Sequence, residues 1–302
     1  MLCGTGAVAC GTPQVDRALA SRAGEPEQLL DVPFHPQRRN HCGPASLAMV
    51  LEWSGDTVTP QELDETAFTA AREGSLQLDM LSAARRRGRL AYPVRDLASL
   101  LAELDAGHPV LVLQNLGLRW YQVWHFSVAI GHDLQRGVLI QHTGRDQARP
   151  ISLRTFERTW DRADDWGLVV LPAGTLPARA DEPVYLRAAL GLELAGRPVE
   201  AAAAFDAATA RWPDSLGAWM GLGNARYASG DLDGAERAFR SAAEAHPGSG
   251  PALNNLAQVL FERGHGDDAL ETIDRAIALG GPRRATYERT RDEIRESHQA
   301  TP

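Results

Sequence analysis

The sequence predicts two domains of different class: an α+β domain over residues 29–174 and an all-α domain over 182–299. Three observations carry this. From Leu29 to about Pro172, helical periodicities come first and short runs of Val, Ile and Leu follow, the order of an α+β domain. Beyond a linker at Thr175–Glu182 the strand signals vanish and Ala dominates. That second part also repeats itself every 34 residues. A chain of 302 residues suits two domains.

In chain order, Pro13–Gln28 is polar and is expected to be a linker, the whole of 1–28 lying outside the folded domains. Pro44–Ser54 places Ala45, Leu47, Ala48, Val50 and Leu51 at helical spacing. Thr59-Pro60-Gln61-Glu62 reads as an N-cap with Pro just inside a helix start. Leu76–Arg87 and Asp96–Ala106 are two further helices. Pro109–Leu113, His125–Ile130 and Gly137–Gln141 are apolar runs of strand length, the last two joined as a hairpin through Gly131–Arg136, and Trp166–Val170 is another strand.

In the second domain, Tyr185, Trp219 and Leu253 correspond, as do Gly196, Gly230 and Gly264. Ala201, Ala235 and Ala269 follow, then Phe205, Phe239 and Ile273, then Ala208, Ala242 and Ala276. Small residues let two helices approach closely, the Gly marks the turn between them, and Pro213 and Pro247 close the first two units, with Pro282 one place late. The pattern resembles the tetratricopeptide repeat, as three units over 182–215, 216–249 and 250–283, with Arg284–His298 as a capping helix. The resemblance implies a concave surface that docks a protein or peptide.

The net charge of −8 argues against a nucleic-acid partner. No apolar run of about 18 residues is present to span a membrane. Of the cysteines Cys3, Cys10 and Cys42, only Cys42 lies in a folded-looking region, which excludes a disulfide framework. Ala7-Val8-Ala9-Cys10-Gly11 resembles a bacterial lipobox, although the basic start and most of the apolar core of a signal are missing. Two readings stand: a lipidated Cys10 that anchors the protein in the cell envelope, as a periplasmic lipoprotein at the outer membrane, or a plain terminus on a cytoplasmic protein.

The chemistry concentrates in Gln37-Arg38-Arg39-Asn40-His41-Cys42-Gly43-Pro44-Ala45. A Cys stands immediately before a helix opened by Gly-Pro, where free N–H groups and the positive helix end favour a thiolate. Such a nucleophile needs an imidazole to move its proton. Gln37, on the extended approach, is placed to converge with the Cys42 N–H on the oxyanion of an acyl-transfer intermediate.

These residues resemble the bacteriocin-processing, double-glycine leader peptidases, a papain-like family with a Gln, a Cys-Gly-x-Ala helix start, a strand beginning with His, and an Asp or Asn after the next strand. His125-Phe126-Ser127-Val128-Ala129-Ile130 looks like the His strand, Gly74-Ser75-Leu76 like the entry to the following helix, and Pro109–Leu113 like the preceding strand. The resemblance spans about 140 residues of the 302 and implies a cysteine peptidase domain with His125 as base. It also implies leader-type substrates, yet the accompanying transporter domains are absent, so the substrate class stays open. Gln37 lies one residue nearer the Cys than in transporter-linked members. His142 falls where the family's Asp stands and is the expected orienter of His125, with Asp146 as fallback and Gln141 as third candidate.

Other readings compete. The fold could bind a peptide without cleaving it, as an envelope adaptor, or transfer an acyl or amide group with the same dyad. Cys42, His125 and His142 could in principle hold zinc, although no Cys-x-x-Cys or His-x-x-x-His spacing supports it. No phosphate loop or dinucleotide motif is present, so no cofactor is expected. Trp120 and Trp124 flank His125 and suit a cleft wall; Trp53 suits the core; His35, His41, His108 and His132 read as surface residues.

Overall fold

The structure is a computed structural model that describes residues 12–22, 26–38, 40–67 and 75–300. The chain divides into two compact units, one built on a sheet and one on helices alone.

The first unit contains α1 (Pro13–Ser21), β1 (Gln28–Leu29), α2 (Cys42–Trp53), α3 (Pro60–Ala67), α4 (Gln77–Arg86), β2 (Arg89–Val94), α5 (Leu97–Asp105), β3 (Val110–Asn115), β4 (Trp124–Asp133), β5 (Val138–Thr143), β6 (Asp146–Ser152), α6 (Leu153–Asp161) and β7 (Gly167–Pro172). The sheet runs β2-β7-β3-β4-β5-β6, with β1 paired to β4. β3, β4, β5 and β6 form an antiparallel meander, and β3 also pairs antiparallel with β7. Where β3 stops pairing at Ala129, β1 takes over at Gly131 and His132. Gly131 is needed there, because a Cβ would lie 2.2 Å from the Gln28 carbonyl oxygen.

α2 is apolar all round and every residue from Gly43 to Leu51 is buried. It packs on β4 and β3, where Leu47, Val50 and Leu51 join Leu111, Leu113, Phe126, Val128 and Ile130 in one core. α3 opens with a capping box: Thr59 N–H donates to the Glu62 carboxylate at 2.7 Å, and Glu62 N–H reaches back to Thr59 Oγ1 at 3.4 Å. α5 is capped by Asp96, whose carboxylate accepts from Ser99 N–H at 2.8 Å.

Helix α1 occupies part of the segment expected as linker. Pro13 sits in its first turn and Val15 and Ala18 are buried. Its free N–H groups at Gln14 and Val15 donate to the Glu157 carboxylate at 3.0 and 3.2 Å. That cap comes from α6, far along the chain, and leaves no local trace in the sequence. Strands β2 and β6 and helix α6 were likewise without an expected counterpart.

The second unit stacks α7 (Glu182–Leu194), α8 (Pro198–Arg211), α9 (Leu216–Ala228), α10 (Leu232–Ala245), α11 (Gly250–Glu262), α12 (Gly266–Ala278) and α13 (Arg284–Ala300). The first helix of each pair starts where the 34-residue period puts it. Asp181, Ser215 and Ser249 cap these three helices, accepting from Val184, Ala218 and Ala252 at 3.1, 3.1 and 3.3 Å. The in-phase alanines at 201, 235 and 269 are fully buried. Gly196, Gly230 and Gly264 all take positive φ (72°, 83° and 85°) at the turn between helices, which favours glycine.

Candidate active site

Cys42 is the first residue of α2, and the chain is turned into it by Asn40 in the left-handed region (φ 63°), which Asn tolerates better than most residues. The thiol is half-buried. It faces the backbone N–H groups of Phe126, Gly43 and Cys42 itself, all of which favour a thiolate, yet burial outweighs them and raises the Cys42 pKa.

Phe126 follows His125, so the thiol lies against the strand that carries the candidate base. The His125 ring Nε2 lies 2.8 Å from Thr143 Oγ1, at the last residue of β5. Burial lowers the His125 pKa. Both shifts point one way: the resting pair is a neutral thiol and a neutral imidazole. Among the described residues no hydrogen bond joins thiol to ring in this state.

Gln37 is also brought to the site and is fully engaged there. Its Nε2 donates to Ser46 Oγ at 3.0 Å and to the Phe126 carbonyl at 3.1 Å. Its Oε1 accepts from Gly144 N–H at 2.9 Å, and its own N–H donates to the Gly144 carbonyl at 2.8 Å. Gln37 thus ties α2, β4 and the β5–β6 turn together. With both amide hydrogens committed it has none to offer an oxyanion, contrary to the expectation from sequence.

The expected orienter is not the residue at the ring. His142 Nδ1 accepts from Ala148 N–H at 3.0 Å, which leaves Nε2 as the donor to the Val32 carbonyl at 3.0 Å. The ring packs against Phe34, centroids 5.1 Å apart, and burial lowers its pKa. Asp146 is exposed and pairs with Arg149 at 3.0 Å. Gln141 Oε1 and Gln114 Oε1 share the Ser127 hydroxyl at 3.2 and 3.0 Å. Thr143, which no sequence motif singled out, takes the place beside His125. Strand alternation was the available signal: His142 lies opposite Val128, so it shares a face with Val128 and Phe126, whereas Gln141 and Thr143 share the face of Ser127 and His125.

Among the described residues, no cluster of three His, Cys, Asp or Glu side chains is arranged to hold a metal ion. The one lone pair His142 could give is taken by Ala148 N–H. Cys10 lies outside the described residues. His132 is buried, not surface, and pairs with Asp105 at 2.7 Å. His35, His41 and His108 pair with Glu52, Asp64 and Glu103. Trp53 packs against the core, while Trp120 and Trp124 are exposed.

A cleft of about 260 Å³ is lined by His35, Arg38, His41 and Asp64 among others, His41 being the residue before Cys42. A larger cleft of about 750 Å³, lined by residues of α1 and α5 among others, includes neither Cys42 nor His125.

Residues 29–166 match the family described as Peptidase_C39 like, and residues 186–250 and 226–285 match two tetratricopeptide-repeat families. Among solved structures, a C39-like peptidase from Bacillus anthracis is 18% identical, with a TM-score of 0.43, over 49% of this chain and 98% of its own. The Yersinia enterocolitica type III secretion chaperone SycD, in complex with a peptide of the translocator YopD, is 17% identical, with a TM-score of 0.36, over 39% of this chain and 96% of its own. A thermophilic tetratricopeptide-repeat protein of Thermus thermophilus is 20% identical, with a TM-score of 0.36, over 48% of this chain and 72% of its own. No curated protein matches the chain.

Proposed function

We propose that this chain, a C39-like peptidase-family domain followed by tetratricopeptide repeats, is a cysteine peptidase that cleaves a peptide bond through a thioester on Cys42. One observation carries the reading: the thiol at the open end of α2 lies against the N–H of Phe126, the residue after His125, whose ring lies 2.8 Å from Thr143 Oγ1.

In this reading Thr143 fixes Nε2, so Nδ1 of His125 takes the thiol proton as Cys42 Sγ attacks the scissile carbonyl carbon. The oxyanion is held by the Cys42 N–H, since the first N–H groups of a helix have no intrahelical acceptor. His125 returns the proton to the leaving amine and the thioester forms. A water then gives its proton to His125 and attacks the thioester carbonyl. The acid product leaves and Cys42 recovers its proton. Gln37 is a positioning residue, holding the Phe126 peptide and the Gly144 turn. Because the pair rests neutral, the thiol proton moves to His125 as Sγ attacks the bound carbonyl, not before.

The repeats supply the docking function. On their surface Asn224, Tyr227, Asn255 and Gln258 line a shallow pocket of about 180 Å³, with Asn255 Nδ2 donating to Asn224 Oδ1 at 3.3 Å. Side-chain amides both donate and accept, which suits the backbone of a bound polypeptide.

The test is hydrolysis of an unfolded protein and a peptide mixture, with products identified by mass spectrometry. Cys42→Ala is expected to abolish cleavage and His125→Ala to lower kcat about 10²–10⁴-fold. Thr143→Val is expected to lower kcat/KM roughly 10–100-fold, and Thr143→Ser to restore it, because the hydroxyl is what the ring needs. A second reading, a peptide-binding adaptor, is favoured by the full commitment of the Gln37 amide. Cleavage that is absent from the wild type, with peptide binding intact, would establish the adaptor and sink the peptidase.

A further inference from the structure

The dyad leaves one feature of the sheet unused. β3 and β4 are joined by a turn that, with its flanks, exposes Leu116, Leu118, Trp120, Tyr121, Val123 and Trp124. Trp120 is 82% exposed and Tyr121 65%, values far from those of packed aromatic rings. Large apolar side chains exposed together in one turn mark a binding surface.

The turn is held firmly. Leu116 N–H donates to the Val123 carbonyl at 2.8 Å and Leu118 N–H to the Tyr121 carbonyl at 2.8 Å. Buried Asn115 accepts on Oδ1 from Gly117 N–H and from Val123 N–H, both at 3.0 Å, and Arg162 donates to its carbonyl at 3.0 and 3.2 Å. A Cβ on Gly117 would stand 2.1 Å from the Tyr121 carbonyl oxygen, so only glycine lets the two limbs approach. Ordering a turn costs conformational entropy. This one recovers little by burying its own rings, but a surface already ordered loses less when it binds.

Its position and charge say what covers it. Asn115 pairs with Trp124 and Gln114 with His125, so the turn grows directly out of the strand that carries the candidate base. Trp124 comes just before His125 in β4 and lies on the strand face of Phe126, whose N–H the Cys42 thiol faces. From Gln114 to Trp124 there is no Asp or Glu, and Arg119 is the one charged residue, on a chain whose net charge is −8.

We propose that the β3–β4 turn grips substrate: it takes a polypeptide segment rich in aliphatic or aromatic side chains and presents the neighbouring bond to Cys42 and His125. The second half rests on the peptidase reading; the gripping does not.

The full-length Cys42→Ala protein is titrated calorimetrically with two synthetic peptides of equal length and charge. One carries Leu and Phe at alternate positions and the other Ser and Gln. The apolar peptide is expected to bind at least about tenfold tighter. Trp120→Ser with Tyr121→Ser should erase that preference while the far-ultraviolet circular dichroism is unchanged. Equal binding of the two peptides, or a preference that survives the double substitution, overturns the proposal. So does a double substitution that spares peptide binding but abolishes sedimentation with phosphatidylcholine vesicles, which assigns the turn to a lipid surface. A retained preference for the apolar peptide in a protein whose wild type cleaves nothing would remove the peptidase reading and leave the gripping role intact.

Discussion

Burial sets the resting protonation of the pair at the site, and the consequence is measurable in pH. Cys42 titrates above the ordinary thiol value of 9.0 because desolvation outweighs three N–H donors. His125 titrates below the ordinary imidazole value of 6.5, from desolvation alone. The rate of Cys42 alkylation by iodoacetamide in the free protein is therefore expected to climb with pH through 9 and beyond. A rate that is flat from weakly acid to neutral pH would mean a preformed thiolate–imidazolium pair and would contradict this account. The linkage to stability has the matching sign. Below 6.5 the unfolded chain protonates His125 while the folded protein does not, so the urea midpoint should fall as the pH drops through this range, and His125→Gln should lose part of that slope. Cys42 and His125 were legible in the sequence, since a Cys at a Gly-Pro helix start and a His at a strand start need only local pattern. The partner of His125 was less so. A register shift in the β5–β6 pairing between Gln141 and Thr143, with Ala148 at φ 49°, turns the Ala148 N–H onto His142. An alanine in that conformation has no sequence signature, so His142 looked available when its ring was already tied.

Elements were legible where their pattern is local and hidden where their support comes from elsewhere in the chain. α2 through α5 announce themselves by periodicity and caps. α1 depends on Glu157 for its cap, and β6, with its largely solvent-exposed pattern, lacks the apolar alternation that marked its neighbours. The glycine after Cys42 shows how such distant support can be decisive. A Cβ on Gly43 would lie 2.2 Å from Ser75 Oγ and 2.5 Å from Ser75 Cβ, at the approach to α4. The Ser75 hydroxyl is buried there without a hydrogen-bond partner among the described residues. Close approach of two segments, not a need for unusual backbone angles, is thus the reason for glycine at 43. Gly43→Ala is expected to destabilise the protein by about 1–3 kcal/mol in urea unfolding, the usual range for overpacking. Ser75→Gly in the same background should recover much of the loss, because it removes both atoms that the new methyl meets. Additive effects of the two substitutions would show that the contact is not what requires the glycine.

At the scale of the molecule, each unit owns a core. Leu47, Val50, Leu111, Phe126 and Val128 belong to one, and Phe239, Leu253, Leu256, Ile273 and Tyr287 to the other. The second core was the more legible because its period of 34 residues repeats the same packing instruction three times, whereas the sheet's order depends on pairings no single strand encodes. The repeats also depend on close approach inside that core: a Cβ on Gly223 would lie 2.4 Å from Phe239 Cε1. Gly223→Ala must therefore push the ring or separate α9 from α10, at a cost of about 1–3 kcal/mol. For a unit of this size that lowers the helical melting step, followed by circular dichroism at 222 nm, by about 3–10 °C. Because none of the displaced atoms belongs to the core that seats α2, Cys42 should be alkylated at the wild-type rate in the same variant. A Cys42 that becomes more reactive in step with the lowered melting temperature would show that the two cores do not act separately.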